Sequence, residues 1–98
     1  MAKSEKVQEI NVDILGFKFS PDVHTVSAGT VVSWVNKDPY FHTVTSGKTD
    51  GPMNEPDGKF DEDLKEEGDV INITFDTPGT YSYFCKQHNA MNAEIRVS

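Results

Sequence analysis

The stretch Tyr81-Ser82-Tyr83-Phe84-Cys85-Lys86-Gln87-His88-Asn89-Ala90-Met91 constrains this chain more than any other. Its first half alternates, with Tyr81, Tyr83 and Cys85 on one side, which is the period-two pattern of a β-strand. Its second half spaces the chain's single cysteine, a histidine and a methionine three residues apart. A thiolate, an imidazole and a thioether this close together are soft and borderline ligands. They suit copper, whereas calcium and magnesium want oxygen. A trigonal copper site of two histidines and one cysteine, with a weak axial methionine, still lacks one histidine here. His42, which ends the run Asn36-Lys37-Asp38-Pro39-Tyr40-Phe41-His42, is the candidate. Each of these residues alone has an ordinary reading: a lone cysteine is a small buried hydrophobe, and a lone methionine fills a core. The set is what counts, because Cys-x-x-His-x-x-Met directly behind an aromatic, alternating strand is an uncommon coincidence.

The rest of the chain reads as short strands separated by Gly and Pro turns. Val7 to Leu15 puts Ile10, Val12 and Ile14 on one face. Gly16 to Ser20 continues as a short strand into a turn at Pro21, and Val23 to Val26 is another strand. Thr30 to Asn36 places Val32 and Trp34 on a common face, with Trp34 as the core anchor. Lys37-Asp38-Pro39 turns the chain, and Phe41 to Thr45 returns as a strand, so His42 falls near a strand start. Ser46 to Gly68 is the loosest region, with a brief strand at Phe60-Asp61 and a helical turn at Leu64 to Glu67. Its acidic cluster (Asp61, Glu62, Asp63, Glu66, Glu67 and Asp69) reads as a solvated loop. Asp69 to Phe75, Thr80 to Cys85 and Ala93 to Val97 complete the set. The pattern predicts an all-β sandwich or barrel. His24 and Met53 lie outside the ligand pattern and read as structural or surface residues.

Ninety-eight residues make one domain, 1–98, with a polar start over 1–6 expected to be disordered. One cysteine allows no intrachain disulfide. No apolar run approaches the roughly 20 residues of a membrane span, and no signal-peptide pattern is present. Met1-Ala2-Lys3-Ser4 reads as a clipped start. A net charge of −7 disfavours nucleic acid and anionic lipid; it either serves solubility alone or steers a basic or mixed-charge protein partner.

The chain resembles the small blue-copper cupredoxins of the amicyanin, pseudoazurin and plastocyanin group. The matching residues are Val26-x-x-Gly29-x-x-Val32-x-Trp34-x-Asn36, then Asp38 and His42, then Phe60-Asp61-x-x-Leu64 and Gly68. The run Phe75-x-x-Pro78-Gly79-Thr80-Tyr81-x-Tyr83-x-Cys85-x-x-His88-x-x-Met91 completes them. The likeness spans about Val7 to Val97, and the short Cys-His-Met spacing is similar to that of amicyanin. It implies an all-β Greek-key sandwich or barrel of about eight strands and one copper ion, with His42, Cys85 and His88 in the plane and Met91 axial. It also implies an outer layer of Thr43, Asn36 and Phe84, in which Thr43 ties the two ligand loops together and Phe84 faces outward. His88 becomes the electron exit, and Pro39, Tyr40, Phe41, Asn89 and Ala90 surround it as the docking patch for transient redox protein partners. The resemblance further implies a monomer working outside the cytoplasm, in the periplasm or at the cell surface, with a targeting or anchor segment removed. The chain departs from the amicyanin-like loop, which usually reads His-Pro-Phe-Met-x-Gly; here it is His88-Asn89-Ala90-Met91-Asn92-Ala93.

Two functional readings follow. The first is a one-electron carrier with a saturated copper site, more an electron carrier than an enzyme. The second is a type 1 copper protein whose axial position is open and binds or oxidises a small molecule such as nitric oxide; the proline-free loop is its support. No acid or base beyond the ligands is apparent, which favours the carrier. Storage or delivery of copper ranks last, because a rigid β-scaffold opposes handover. A binuclear site with two bridging cysteines is excluded by the single Cys85.

Overall fold

A computed structural model describes residues 8–98, apart from the side chain of Asn89. The start over 1–6 and the first residue of the expected Val7 strand lie outside the described residues. Nine strands follow in order: β1 (Glu9–Ile14), β2 (Phe19–Ser20), β3 (Val23–Val26), β4 (Thr30–Asn36), β5 (His42–Lys48), β6 (Glu55–Leu64), β7 (Val70–Phe75), β8 (Gly79–Cys85) and β9 (His88–Val97). The described residues contain no helix.

The strands form two sheets, ordered β2-β1-β4-β7 and β3-β9-β8-β5-β6. β1 runs parallel to β4 and β3 parallel to β9, and the other pairs are antiparallel. Alternation explains the faces. On β4, Thr30, Val32, Trp34 and Asn36 are buried, and Val31, Ser33 and Val35 are only half-buried. Val12 and Ile14 of β1, Phe75 of β7 and Ile95 and Val97 of β9 supply further inward side chains. Trp34 is fully buried and meets Tyr83 edge-on at 5.4 Å between ring centroids. Burying each such side chain contributes roughly 1.5–3 kcal/mol, so one cluster of this kind holds the two sheets together.

The region from 46 to 68 corrects the sequence reading. It is not mostly loop, because ten of its residues form β6, paired with β5 from His42↔Leu64 to Lys48↔Glu55. It was hard to read because β6 is the edge of its sheet. Only Phe60 and Leu64 turn inward, and charged residues occupy most other positions, which also guards an exposed edge against mispairing. Pro56 fits an edge, where a missing donor is tolerated. The β5–β6 register shifts between Thr45 and Gly47. A Cβ at position 47 would clash with the Glu55 backbone carbonyl, so glycine permits this close pairing. The expected helical turn at Leu64 to Glu67 is the end of β6 followed by a turn, closed by Asp69 N–H to the Glu66 carbonyl at 3.1 Å.

Candidate metal centre

His42 opens β5, Cys85 closes β8 and His88 opens β9. Cys85 and His88 are cross-strand partners flanking a turn at Lys86 and Gln87, so the histidine lies on a strand rather than in the expected loop. β5 pairs with β8, which brings His42 to the same end. One ligand atom from each of His42, Cys85 and His88 lies within 4.8 Å of the other two. The Cys85 sulfur is 3.7 Å from His42 Nδ1 and 3.6 Å from His88 Nδ1. Metal–nitrogen bonds of about 2.0 Å and metal–sulfur bonds of about 2.3 Å put nitrogen and sulfur roughly 3.5–3.8 Å apart at tetrahedral to trigonal angles. The donor set therefore fits one soft or borderline ion in both chemistry and spacing.

The thiol side is held by a closed polar ring. The Thr43 N–H points at Cys85 Sγ at 3.4 Å. The Lys86 N–H donates to Thr43 Oγ1 at 2.9 Å, and Thr43 Oγ1 lies 2.9 Å from Thr45 Oγ1. Thr45 donates to Asp61 Oδ1, and Asp61 Oδ2 accepts from Lys86 Nζ at 2.8 Å. The Lys86 ammonium holds the Asp61 carboxyl below its usual value, against the opposing effect of burial. The ring starts and ends on the residue after Cys85, which fixes the turn between two of the candidate ligands.

The His42 side is held by Asn36 and Asp38. Asn36 Nδ2 donates to the Tyr40 and Leu64 carbonyls, at 2.8 and 3.1 Å, and its Oδ1 accepts from the Asp38 N–H. That bracket aims Asp38 inward, where Oδ2 lies 2.9 Å from His42 Nε2. Burial alone would raise the Asp38 carboxyl, yet the Phe17 and Gly16 amides and the His42 ring together hold it below its ordinary value. The sequence reading missed this contact. Asp38 stood only as a matching position, four residues before His42, and that spacing was its one signal. Phe17 was missed entirely. Its ring lies 4.7 Å from that of His88 and 5.6 Å from that of His42.

Cys85 and His42 are fully buried, and His88 is half-buried. Met91 is 3% exposed and sits on β9 in the same core cluster as Cys85. Pro39, Tyr40, Phe41 and Ala90 are exposed; the Asn89 side chain lies outside the described residues. Phe84 corrects another expectation. It does not face outward but is 3% exposed, next to a register shift between Phe84 and Cys85 that breaks the β8 alternation and leaves three consecutive residues buried. His24 is half-buried on β3, opposite Ile95, and Met53 is exposed.

Residues 6–98 match the family model described as copper binding proteins, plastocyanin/azurin family. Plastocyanin from Scenedesmus fuscus is 30% identical over 82 residues, covering 82% of this chain and 84% of that protein. Amicyanin-alpha from Methylorubrum extorquens is 28% identical over 98 residues, covering 95% and 79%. Among solved structures, a purple cupredoxin from Nitrosopumilus maritimus superposes with a TM-score of 0.80 at 24% identity, covering 91% of this chain and 99% of that one. A copper-containing nitrite reductase from Thermus scotoductus superposes with a TM-score of 0.77 at 29% identity, and this chain corresponds to 24% of it. The two-sheet fold is thus the cupredoxin fold, and the cofactor that suits this family and this donor set is one copper ion. The chain belongs to the plastocyanin/azurin family of copper-binding proteins.

Proposed function

We propose that this protein is a one-electron carrier in which His42 Nδ1, Cys85 Sγ and His88 Nδ1 hold the copper and the Met91 thioether is the axial ligand. The observation that carries this reading is the cluster of two imidazoles and one thiol within 4.8 Å, at the shared end of three strands. Copper supplies single-electron exchange between Cu(I) and Cu(II). The chain does the rest. Donors on paired strands cannot move far, so the geometry changes little when the charge changes, and little reorganisation favours fast transfer. The Thr43 amide, 3.4 Å from Cys85 Sγ, orients the sulfur.

The half-buried His88 packs against the exposed Phe17, whose ring stacks on the exposed Tyr40; with Pro39 and Ala90 also exposed, this supports that end as the electron exit and docking surface for a redox protein. Such a contact is small and transient. The charge of −7 favours a basic or mixed-charge partner. The burial of Met91 speaks against an axial position open to nitric oxide or a similar small molecule. We place the protein outside the cytoplasm, as a monomer, on the strength of the family resemblance.

The test is copper titration of the metal-free protein followed by voltammetry. The reading expects one copper per chain and a reversible one-electron wave. Cys85→Ser should lose the thiolate-to-copper colour, and a variant that stays coloured would remove Cys85 from the ligand set.

A further inference from the structure

Asp38 is 4% exposed, and its two oxygens serve three donors from two parts of the chain. Oδ1 accepts from the Gly16 N–H at 2.8 Å. Oδ2 accepts from the Phe17 N–H at 3.0 Å and lies 2.9 Å from His42 Nε2. A carboxylate offers only acceptors, so the His42 nitrogen facing it must carry the proton. In a neutral imidazole that leaves Nδ1 as the lone-pair atom, and Nδ1 is the atom turned towards Cys85.

The other two donors belong to the turn between β1 and β2. Gly16 and Phe17 both have positive φ, 66° and 60°, and the Leu15 N–H bonds the Lys18 carbonyl at 3.0 Å. This is the φ pattern of a tight hairpin turn, in which the second central position strongly prefers glycine. A phenylalanine there is strained, because its Cβ crowds the following carbonyl oxygen. Such a residue persists only where its surroundings over-determine it. Two hydrogen bonds to one carboxylate do that, and they set the Phe17 ring against His88, against His42 and, at 5.0 Å, on Tyr40.

We propose that Asp38 is a positioning residue for the copper centre, one carboxylate that selects the metal-binding tautomer of His42 and pins Phe17 over both histidines. Carboxylates behind metal-bound imidazoles orient the ring and raise its basicity. Here the same oxygen also fastens the aromatic cover, so the buried ligand and the lid over the half-buried one share a single anchor. A negative charge behind His42 also stabilises the oxidised, more positive site. The inference rests on the copper reading above, but its first test needs no metal.

Long-range proton–nitrogen NMR of the metal-free, histidine-labelled protein reads the tautomer directly. His42 should carry its proton on Nε2 in the native chain. Asp38→Ala should lose that preference and shift the His88 ring protons as Phe17 moves away. Asp38→Asn retains an acceptor without the charge, so it should keep the tautomer yet raise the reduction potential of the copper-loaded protein. A native His42 protonated on Nδ1 overturns the proposal, as does an Asp38→Ala spectrum unchanged at both histidines. Should Asp38→Ala fail to fold, the native tautomer and the Asp38→Asn potential decide, and an unchanged potential overturns it. A native chain that bound no copper would instead defeat the electron-carrier reading and leave the tautomer result standing.

Discussion

His42 and Cys85 lie fully buried between paired strands, whereas His88 sits half-buried beside the exposed Phe17, which stacks on the exposed Tyr40. The buried side is a lattice of directed hydrogen bonds, through Asn36 to two carbonyls and through Thr43 and Thr45 to Asp61. The open side is mostly ring against ring. The contrast separates two demands that the proposed electron-carrier role makes. Ligands must stay still when the charge changes, and the exit must lie close to a partner's surface. Directed bonds in a dry interior meet the first, because breaking one strands a polar group. Aromatic contacts at the rim meet the second at small cost to stability.

Substitutions on the two sides should therefore differ in kind. Asn36→Ala strands the Tyr40 and Leu64 carbonyls and the Asp38 amide, and should cost about 3 kcal/mol in urea unfolding. A cost below about 1 kcal/mol would mean that the bracket is not what holds the loop. Thr43→Val keeps the shape but removes the hydroxyl that accepts from Lys86, and should cost about 1–2 kcal/mol. It should also perturb the copper spectrum through the turn, and a spectrum identical to the native one would uncouple the polar ring from the site. On the open side, Phe17→Gly removes the ring but also relieves the positive φ, so unfolding free energy should stay within about 1 kcal/mol. Its effect should appear in the reduction potential and the His88 resonances; a large loss of stability with no such change would make Phe17 a core residue instead. Lys86→Ala breaks a pair whose side chains are 41% and 47% exposed and should change stability by no more than about 0.5 kcal/mol.

The same contrast explains what could be read from the sequence. Strands β1, β4 and β7 were legible because each buries one face, so that Val12, Ile14, Val32, Trp34 and Phe75 recur at every second residue. β6 was not, since an edge strand with only two inward residues carries no such period. Cys85 and His88 were brought to notice by their spacing across one hairpin, and His42 by its place after a strand and a turn. The partnership of Asp38 with the Gly16–Phe17 turn joins residues 21 and 22 positions apart, and nothing local announces it. Phe84 misled for a related reason. Strict alternation put it outside, and a register shift beside Cys85 buries it.

The most direct test of the account is the visible and EPR spectrum of the copper(II)-loaded protein, with and without azide. A closed site of His42, Cys85, His88 and Met91 predicts an intense thiolate-to-copper band, small copper hyperfine splitting and no response to azide. A weak band, or a spectrum that azide changes, would show that the axial position is open and would contradict the electron-carrier account.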